Sequence, residues 1–403
     1  MKTVLLITVT GPDQPGITAL ITGVLSQHEV NVLDIGQAVI HDTLSLGLLV
    51  EIPLAADADR IVQNILARTQ DMNLVVRSTP ISEDSYEHWV AAQGKPRHIV
   101  TLLARKITAH QLSRLTDIVA RYHLNIDKIN RLSGRIPLGE LHEGSKACVE
   151  FSVRGHVDDT GPMRRDFMEL ASELDVDIAY QEDTVFRRHR RLVAFDMDST
   201  LIEAEVIDEL AKVHGVGEQV AAITERAMRG ELDFNASFAE RVALLKGLPE
   251  SALAEVAGRL QLTEGAERLI GTVRRLGYRT AILSGGFMYF GKRLQQQLGI
   301  DYVHANELEI IDGYVTGRVV GRVVDGQRKA QLLQDIARQE GIVLEQVIAV
   351  GDGANDLPML SIAGLGIAFR AKPLVKQSAK QAISTLGLDG ILYLMGLSDR
   401  DTL

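Results

Sequence analysis

Leu192-Val193-Ala194-Phe195-Asp196-Met197-Asp198-Ser199-Thr200 runs from an apolar stretch straight onto two carboxylates. The short apolar run predicts a buried strand, and two carboxylates at i and i+2 on an extended segment point the same way. Like charges that close repel unless a cation or a proton joins them. Taken alone, the stretch reads equally well as a helix start, with Asp198 or Ser199 as the cap. Its surroundings decide. Arg279–Leu283, Val347–Val350 and Gly366–Phe369 are further apolar runs that end in small, polar or acidic residues. Strand–loop–helix alternation of this kind predicts a parallel α/β sheet, which binds ligands beyond the carboxyl ends of its strands.

Those ends carry matching chemistry. Gly351-Asp352-Gly353-Ala354-Asn355-Asp356 closes one run and offers two more carboxylates. Two acidic clusters at two strand ends suit a hard divalent cation, Mg²⁺ above all. Ser284-Gly285-Gly286 closes another run, with a hydroxyl and flexible N–H donors suited to phosphate oxygens. Singly, each glycine motif is a tight turn, and Lys329, after Asp325-Gly326-Gln327-Arg328, is a surface lysine. Competing phosphate devices are missing. There is no Gly-x4-Gly-Lys-Ser/Thr, and Asp356 stands where a dinucleotide loop begun at Gly351-x-Gly353 needs its third glycine.

In this order the four motifs resemble the haloacid dehalogenase-like phosphatases, over about Leu192 to Leu397. The resemblance implies Asp196 as nucleophile and Asp198 as general acid and base. Ser284 and Gly285 would take the phosphoryl oxygens, with Asn355 among the substrate contacts. Lys329 would neutralise charge, and Mg²⁺ would be held by Asp196, Asp352 and the Asp198 main-chain carbonyl. Asp356 would support the metal's outer shell. These residue types fit the chemistry. A carboxylate is already ionised at neutral pH and can attack phosphorus, the phosphoryl charge needs cations, and an alkoxide leaving group needs a proton donor.

Glu205 to Leu276 is rich in Ala, Leu and Glu and predicts a helical insert, broken at Gly247-Leu248-Pro249. Glu205 and Arg241, taken singly, are solvated surface charges. Yet Asp196 to Glu205, Met228-Arg229-Gly230-x3-Phe234 and Ser237-Phe238-x2-Arg241-Val242 resemble the phosphoserine phosphatases. That resemblance implies L-phosphoserine as substrate, its ammonium on Glu205, its carboxylate on Arg241, and Met228 and Phe234 closing over it. Arg can grip a carboxylate through two nitrogens at once.

Upstream lies an internal repeat. His28 to Ile35 resembles Tyr122 to Ile129 at an offset of 94, and Ile21, Val24 and Leu25 fall on Leu115, Ile118 and Val119. Both copies predict βαββαβ, the first with a helix over 58–69 and a last strand over 74–77. The second has strands over 148–153 and 176–180, a helix over 163–174 and a hairpin over Ser133–Ser145. These copies resemble ACT domains, which commonly bind amino acids. In copy one, Gly11-Pro12-Asp13-Gln14-Pro15-Gly16 opens a helix whose free N–H groups favour a carboxylate. Asp13, Gly16 and Asn31 are its candidate contacts, L-serine the candidate effector, and a simple tight loop the equal alternative. Copy two has Arg105-Lys106-Ile107-Thr108 at that place and departs from the pattern. Exposed sheet faces and edges lead us to expect pairing of repeats in a homodimer.

The expected plan is an ACT-like domain over 1–80, a second over 96–182, a solvated basic linker over 183–191, and a phosphatase domain over 192–403 with its cap at about 205–276. A length of 403 residues at ~150 per domain allows two or three domains. Hydrophobic and charged fractions of 46% and 24% fit an ordinary globular chain. With 43 Lys and Arg against 53 Asp and Glu, the net charge of −10 argues against a general nucleic-acid binder. Cys148 is the only cysteine, so intrachain disulfides and multi-cysteine zinc sites are excluded. The start at Met1-Lys2 lacks the form of a signal peptide, and the apolar runs are too short to span a membrane. A cytoplasmic protein is expected. Two other readings share these residues: a phosphotransferase moving phosphate to homoserine or a similar acceptor, and an amino-acid sensor whose C-terminal domain no longer catalyses.

Overall fold

A computed structural model describes residues 3–140 and 144–402. Met1, Lys2 and the middle of the Ser133–Ser145 hairpin, residues 141–143, lie outside the described residues. The chain divides into two compact units, Met1–Lys95 and Pro96–Leu403.

The first unit holds β1 (Thr3–Pro12), α1 (Ile17–Ser26), β2 (Asn31–Ile40), β3 (Thr43–Ile52), α2 (Ala58–Thr69) and β4 (Val75–Ile81). Its antiparallel sheet has the order β2-β3-β1-β4. Alternation in β3 sends Leu44, Leu46, Leu48 and Val50 to one face, where they pack on Ile17, Ile21, Val24 and Leu25 of α1 and Ile61 and Ile65 of α2. Each such side chain stabilises by about 1.5–3 kcal/mol. Asp57 caps α2 by accepting from the Arg60 N–H at 3.2 Å. The polar stretch after β4 forms a further helix, α3 (Glu83–Ala91), capped by Ser82.

The second unit opens with the other repeat: β5 (Arg97–Ala104), α4 (Ala109–Arg121), β6 (Asn125–Arg131), β7 (Ala147–Arg154), α5 (Thr160–Leu174) and β8 (Asp177–Glu182). The sheet order β6-β7-β5-β8 repeats that of the first unit. Thr108 and Gln111 form a reciprocal capping box at the start of α4, satisfying donors that a helix start leaves free.

There follow β9 (Leu192–Phe195), α6 (Val206–His214), α7 (Gly217–Met228), α8 (Phe234–Ala243), α9 (Ser251–Arg259), α10 (Ala266–Arg275), β10 (Arg279–Phe287) and α11 (Met288–Leu298). Then come β11 (Tyr302–Ile311), β12 (Tyr314–Val320), α12 (Gly326–Gln339), β13 (Val347–Gly351), α13 (Leu357–Ile362), β14 (Leu365–Phe369), α14 (Pro373–Ser378), β15 (Gln381–Ile383) and α15 (Gly390–Leu394). Their seven-stranded sheet has the order β12-β11-β10-β9-β13-β14-β15, parallel except for the antiparallel β11–β12 pair. β9 is central, with β10 on one side and β13 on the other, so the order reverses at the end of β9. In the insert, α6 packs on α7 and α9, and α8 on α7 and β12. α10, grouped with the insert by the sequence reading, packs instead on β10 and α11.

Two expectations change in this unit. The basic run after β8 is solvated only in part: Arg188, His189 and Arg191 are exposed, but two of its arginines are not. Arg187 is 3% exposed and paired with Glu150, and Arg190 is 8% exposed and donates to the Glu345 carbonyl. In an acidic chain these arginines serve as buried struts. The free face of the second repeat's sheet is also occupied from within the chain. Leu103, Cys148 and Ala179 share one core with Ile391, Leu392 and Tyr393. Asp177 accepts from the Ser384 and Thr385 N–H groups at 2.8 Å each. This sheet face therefore needs no second repeat to cover it.

Candidate active site

Three strand ends and one helix start converge. β9 delivers Asp196 and Asp198, β13 delivers Asp352 and Asp356, β10 delivers Ser284 and Gly285, and the first turn of α12 delivers Lys329. Ser284, Lys329 and Asp356 are fully buried, and Asp196 and Asp198 nearly so. The Lys329 ammonium donates to Asp196 at 2.9 Å and to Asp356 at 2.7 Å. The other Asp356 oxygen accepts from the Gly353 N–H at 2.9 Å. Burial pulls the Lys329 pKa down, but the charges of Asp196 and Asp356 outweigh it and the net shift is upward. The lysine is a fixed cation.

Carboxylate oxygens of Asp196, Asp352 and Asp356 lie within 4.8 Å of one another. Burial, then the charges of Asp196, Asp356 and Glu205, push Asp352 up to about 8. Burial and the Asp196 charge take Asp356 to about 7, against the pull of Lys329. One lysine cannot neutralise this many carboxylates, so the donor set fits a divalent cation bound by oxygen. Both Asp356 oxygens are already engaged, which leaves Asp196 and Asp352 as the available ligands.

After Asp198 the chain reverses through Ser199, held at φ 55°, a conformation that costs a non-glycine residue about 1–3 kcal/mol. The turn pays in geometry. Ser199 donates to Glu205 at 2.7 Å, and Asp198 accepts from the Val206 N–H at 3.2 Å. Burial, then the charges of Glu205 and Asp196, raise the Asp198 pKa well above the usual carboxylate range. The shift favours the protonated carboxyl, the form a proton donor needs.

The Ser284–Gly286 turn is braced from behind. Ser284 Oγ accepts from the Gly286 N–H at 2.9 Å. A side chain at Gly286 would collide with Asp198, and one at Gly285 would stand 3.0 Å from Phe234 Cζ. Phe234 of the insert therefore lies directly over this turn. Arg241, half-buried on α8, donates to the Ser237 carbonyl at 3.4 Å and forms no ion pair among the described residues. Its charge acts on Glu205 and Asp208, both raised chiefly by burial. Met228 is 63% exposed at the rim, 3.4 Å from the Lys372 ammonium. Asn355 is half-buried on the turn that carries Asp356.

Two residues with no role in the sequence reading belong here. Thr200 donates to Asp352 at 3.1 Å, tying the β9 and β13 ends together; its place in Asp-x-Asp-x-Thr was the available signal. Asn306 of β11 donates to the Gly285 carbonyl at 2.8 Å and accepts from the Val324 N–H at 2.9 Å. Nothing in its neighbourhood in the sequence marks it.

The candidate contacts in the first repeat do not all meet. Gly16, at φ 95°, opens α1, and Asp13 lies beside it in the loop. Asn31 does not join them. Gly11 pairs with Leu44 of β3, whereas Asn31 pairs with Glu51. Seven residues of strand separate the two levels, about 23 Å at 3.3 Å per residue. The reason is topological: α1 carries the chain back across the sheet before β2 begins.

The fold and site define a haloacid dehalogenase-like hydrolase. Residues 193–361 match the model of that family, and residues 3–79 and 96–181 match ACT domain models. The chain is 42% identical to a phosphoserine phosphatase of Mycobacterium tuberculosis, over 98% of this chain and 94% of the relative. It is 40% identical to one of Streptomyces coelicolor, over 98% and 92%. A solved probable phosphoserine phosphatase from Vibrio cholerae superposes with a TM-score of 0.59 at 34% identity, covering 74% of this chain and 86% of that one. The chain belongs to the phosphoserine phosphatase family, as an enzyme with two ACT domains ahead of its hydrolase domain.

Proposed function

We propose that the protein hydrolyses L-phosphoserine to L-serine and phosphate, with Mg²⁺ as its metal and an aspartyl-phosphate at Asp196 as intermediate. The observation that carries the reading is Lys329, buried and bonded to both Asp196 and Asp356 opposite Asp352. An Asp196 oxygen attacks phosphorus while the bond from phosphorus to the serine oxygen breaks, and Asp198 gives its proton to that oxygen. Water then attacks phosphorus, Asp198 takes the water's proton, and the bond to Asp196 breaks to release phosphate. Lys329, Ser284 and the N–H groups around Gly285 hold the phosphoryl oxygens. When bound by Asp196, Asp352 and the Asp198 main-chain carbonyl, Mg²⁺ supplies further charge neutralisation there, with Asp356 in its outer shell.

Glu205 takes the substrate ammonium and Arg241 its carboxylate, with Phe234, Met228 and Asn355 completing the enclosure. A zwitterion needs one partner of each sign, and Arg241 is a half-buried cation that forms no ion pair among the described residues. The reaction is read as the last step of L-serine biosynthesis, in the cytoplasm and in a homodimer. L-serine is read as effector at Asp13 and Gly16 of the first ACT domain. Among the described residues no helix is long and apolar enough to cross a membrane. The deciding experiment measures phosphate release from L-phosphoserine with and without Mg²⁺, with homoserine offered as acceptor. Phosphohomoserine in place of free phosphate would make the protein a phosphotransferase.

A further inference from the structure

Arg105 directly follows β5 in the second repeat, at the place that Gly11, near the end of β1, holds in the first. Its guanidinium takes both oxygens of Glu264, at 2.9 and 2.8 Å. Glu264 is shared by Arg370 at 3.1 Å, and Arg370 reaches Glu203 at 3.5 Å. Glu203 and Glu264 lie on the two segments that join the helical insert to the sheet. The Glu203 N–H donates to the Gln261 carbonyl at 3.0 Å, the Thr263 N–H to the Leu201 carbonyl at 2.9 Å, and Ile202 pairs with Leu262. Glu203 lies between Asp198 and Glu205. Arg370 directly follows the last residue of β14, at φ 45°, with its guanidinium 5.2 Å over the Phe369 ring.

As a source of stability this chain of ions is weak. Arg105, Glu264 and Arg370 are each about a third exposed, and such pairs contribute about 0–1 kcal/mol. As a device for orientation it is well made. A planar guanidinium bonded through two nitrogens fixes direction as well as distance. Its ends lie on the repeat and on both hinge segments of the insert.

We propose that Arg105 is a positioning residue for the phosphatase: through Glu264, Arg370 and Glu203 it sets the hinge on which the helical insert closes over the substrate. The second repeat has its hold on the hinge where the first has its glycine loop. The inference rests on the reading of the insert as the cap carrying Glu205 and Arg241. If only the closed cap binds substrate well, apparent affinity scales with the closed fraction. Loosening the hinge then raises KM and leaves kcat nearly unchanged.

The test uses the full-length chain with L-phosphoserine, comparing Arg105→Ala, Arg105→Lys, Arg370→Ala and the Arg105→Ala/Arg370→Ala double variant. Arg105→Ala is expected to raise KM about three- to tenfold with kcat within about twofold, as for a shifted closed fraction. Arg105→Lys should recover part of the loss, and the double variant should be no worse than the poorer single one. An unchanged KM with a lowered thermal midpoint would make Arg105 a structural strut and overturn the proposal, as would single effects that multiply. Arg241→Ala, run alongside, separates the two ideas. If it impairs phosphoserine selectively while Arg105→Ala does nothing, the hinge proposal alone fails. If it has no selective effect, the reading of the cap fails and takes the proposal with it.

Discussion

The side-chain amide of Asn306 spans two backbone segments, donating to the Gly285 carbonyl at 2.8 Å and accepting from the Val324 N–H at 2.9 Å. It thereby fixes the Ser284–Gly286 turn against the segment between β12 and α12 that leads to Lys329. Asn306→Ala leaves two buried backbone groups unpaired, at about 1–3 kcal/mol each. We expect kcat/KM to fall about tenfold or more, equally for L-phosphoserine and p-nitrophenyl phosphate, because both present the same phosphoryl group. Loss on phosphoserine alone would contradict a role at the turn.

Asp196→Asn should cut turnover by roughly 10⁴-fold or more with the fold retained, as judged by circular dichroism. Asp198→Asn should slow both half-reactions in rapid-quench kinetics, because one residue gives a proton in the first and takes one in the second. Appreciable activity in Asp196→Asn would remove it as nucleophile.

Arg241→Ala should lower kcat/KM for L-phosphoserine by about a hundredfold, from the 2–5 kcal/mol lost when one partner of a buried charge pair is removed. p-Nitrophenyl phosphate, which has no carboxylate, should be nearly unaffected. Equal losses on the two substrates would make Arg241 structural.

Stability against acid should depend on Glu264. The hydrogen bond from Arg105 holds its carboxyl below the ordinary 4.5, against the opposing effect of burial. A lowered carboxyl pKa gives stability that is complete above the unfolded-state value and is lost as pH falls through the folded-state value. The thermal midpoint should therefore drop below about pH 4.5, and Glu264→Gln should flatten that limb while lowering the midpoint at neutral pH. Parallel curves for the two proteins would show that Glu264 does not titrate with folding.

L-serine inhibition, if exerted at the first ACT domain, should be non-competitive with phosphoserine and weakened by Asp13→Ala. Deleting residues 1–95 should abolish it and spare turnover. Deleting residues 1–182 should instead destabilise the enzyme, since it removes Leu103, Cys148 and Ala179 from the core and Asp177 from the Ser384 and Thr385 amides. Competitive inhibition that survives the shorter deletion would confine serine to the product site.

What the sequence made legible was whatever repeats or alternates. Period-2 patterning in β3 and the offset of 94 between the copies reveal both βαββαβ units, and the helix expected over 58–69 is α2. Three strand-end motifs and one helix-start motif announce Asp196, Ser284, Asp352 and Lys329, because each is a short local string. Asn306 could not be read that way, since its partners lie 21 and 18 residues off and carry no signature of their own. α3 is hard to read from the sequence although Ser82-Glu83-Asp84 is a serviceable helix start, because it has no buried face to give it periodicity. Arg187 and Arg190 are not legible as buried because charge runs are usually solvated, and only the tertiary structure reveals Glu150 and the Glu345 carbonyl as their partners. Asn31 was misplaced because adjacency at the starts of successive elements ignores which way the chain runs across the sheet.

The packing of α15 under the second repeat also bears on the order of synthesis. The face formed by Leu103, Cys148 and Ala179 is made early, yet its cover, Ile391 to Tyr393, emerges from the ribosome only some two hundred residues later. At about 5–20 residues per second, that sheet spends on the order of ten to forty seconds bare. A nascent chain stalled before Gly390 should therefore be the species most readily captured by a chaperone and most quickly cut by protease. Truncating the chain before Gly390, which removes α15 altogether, would prolong that vulnerable state indefinitely.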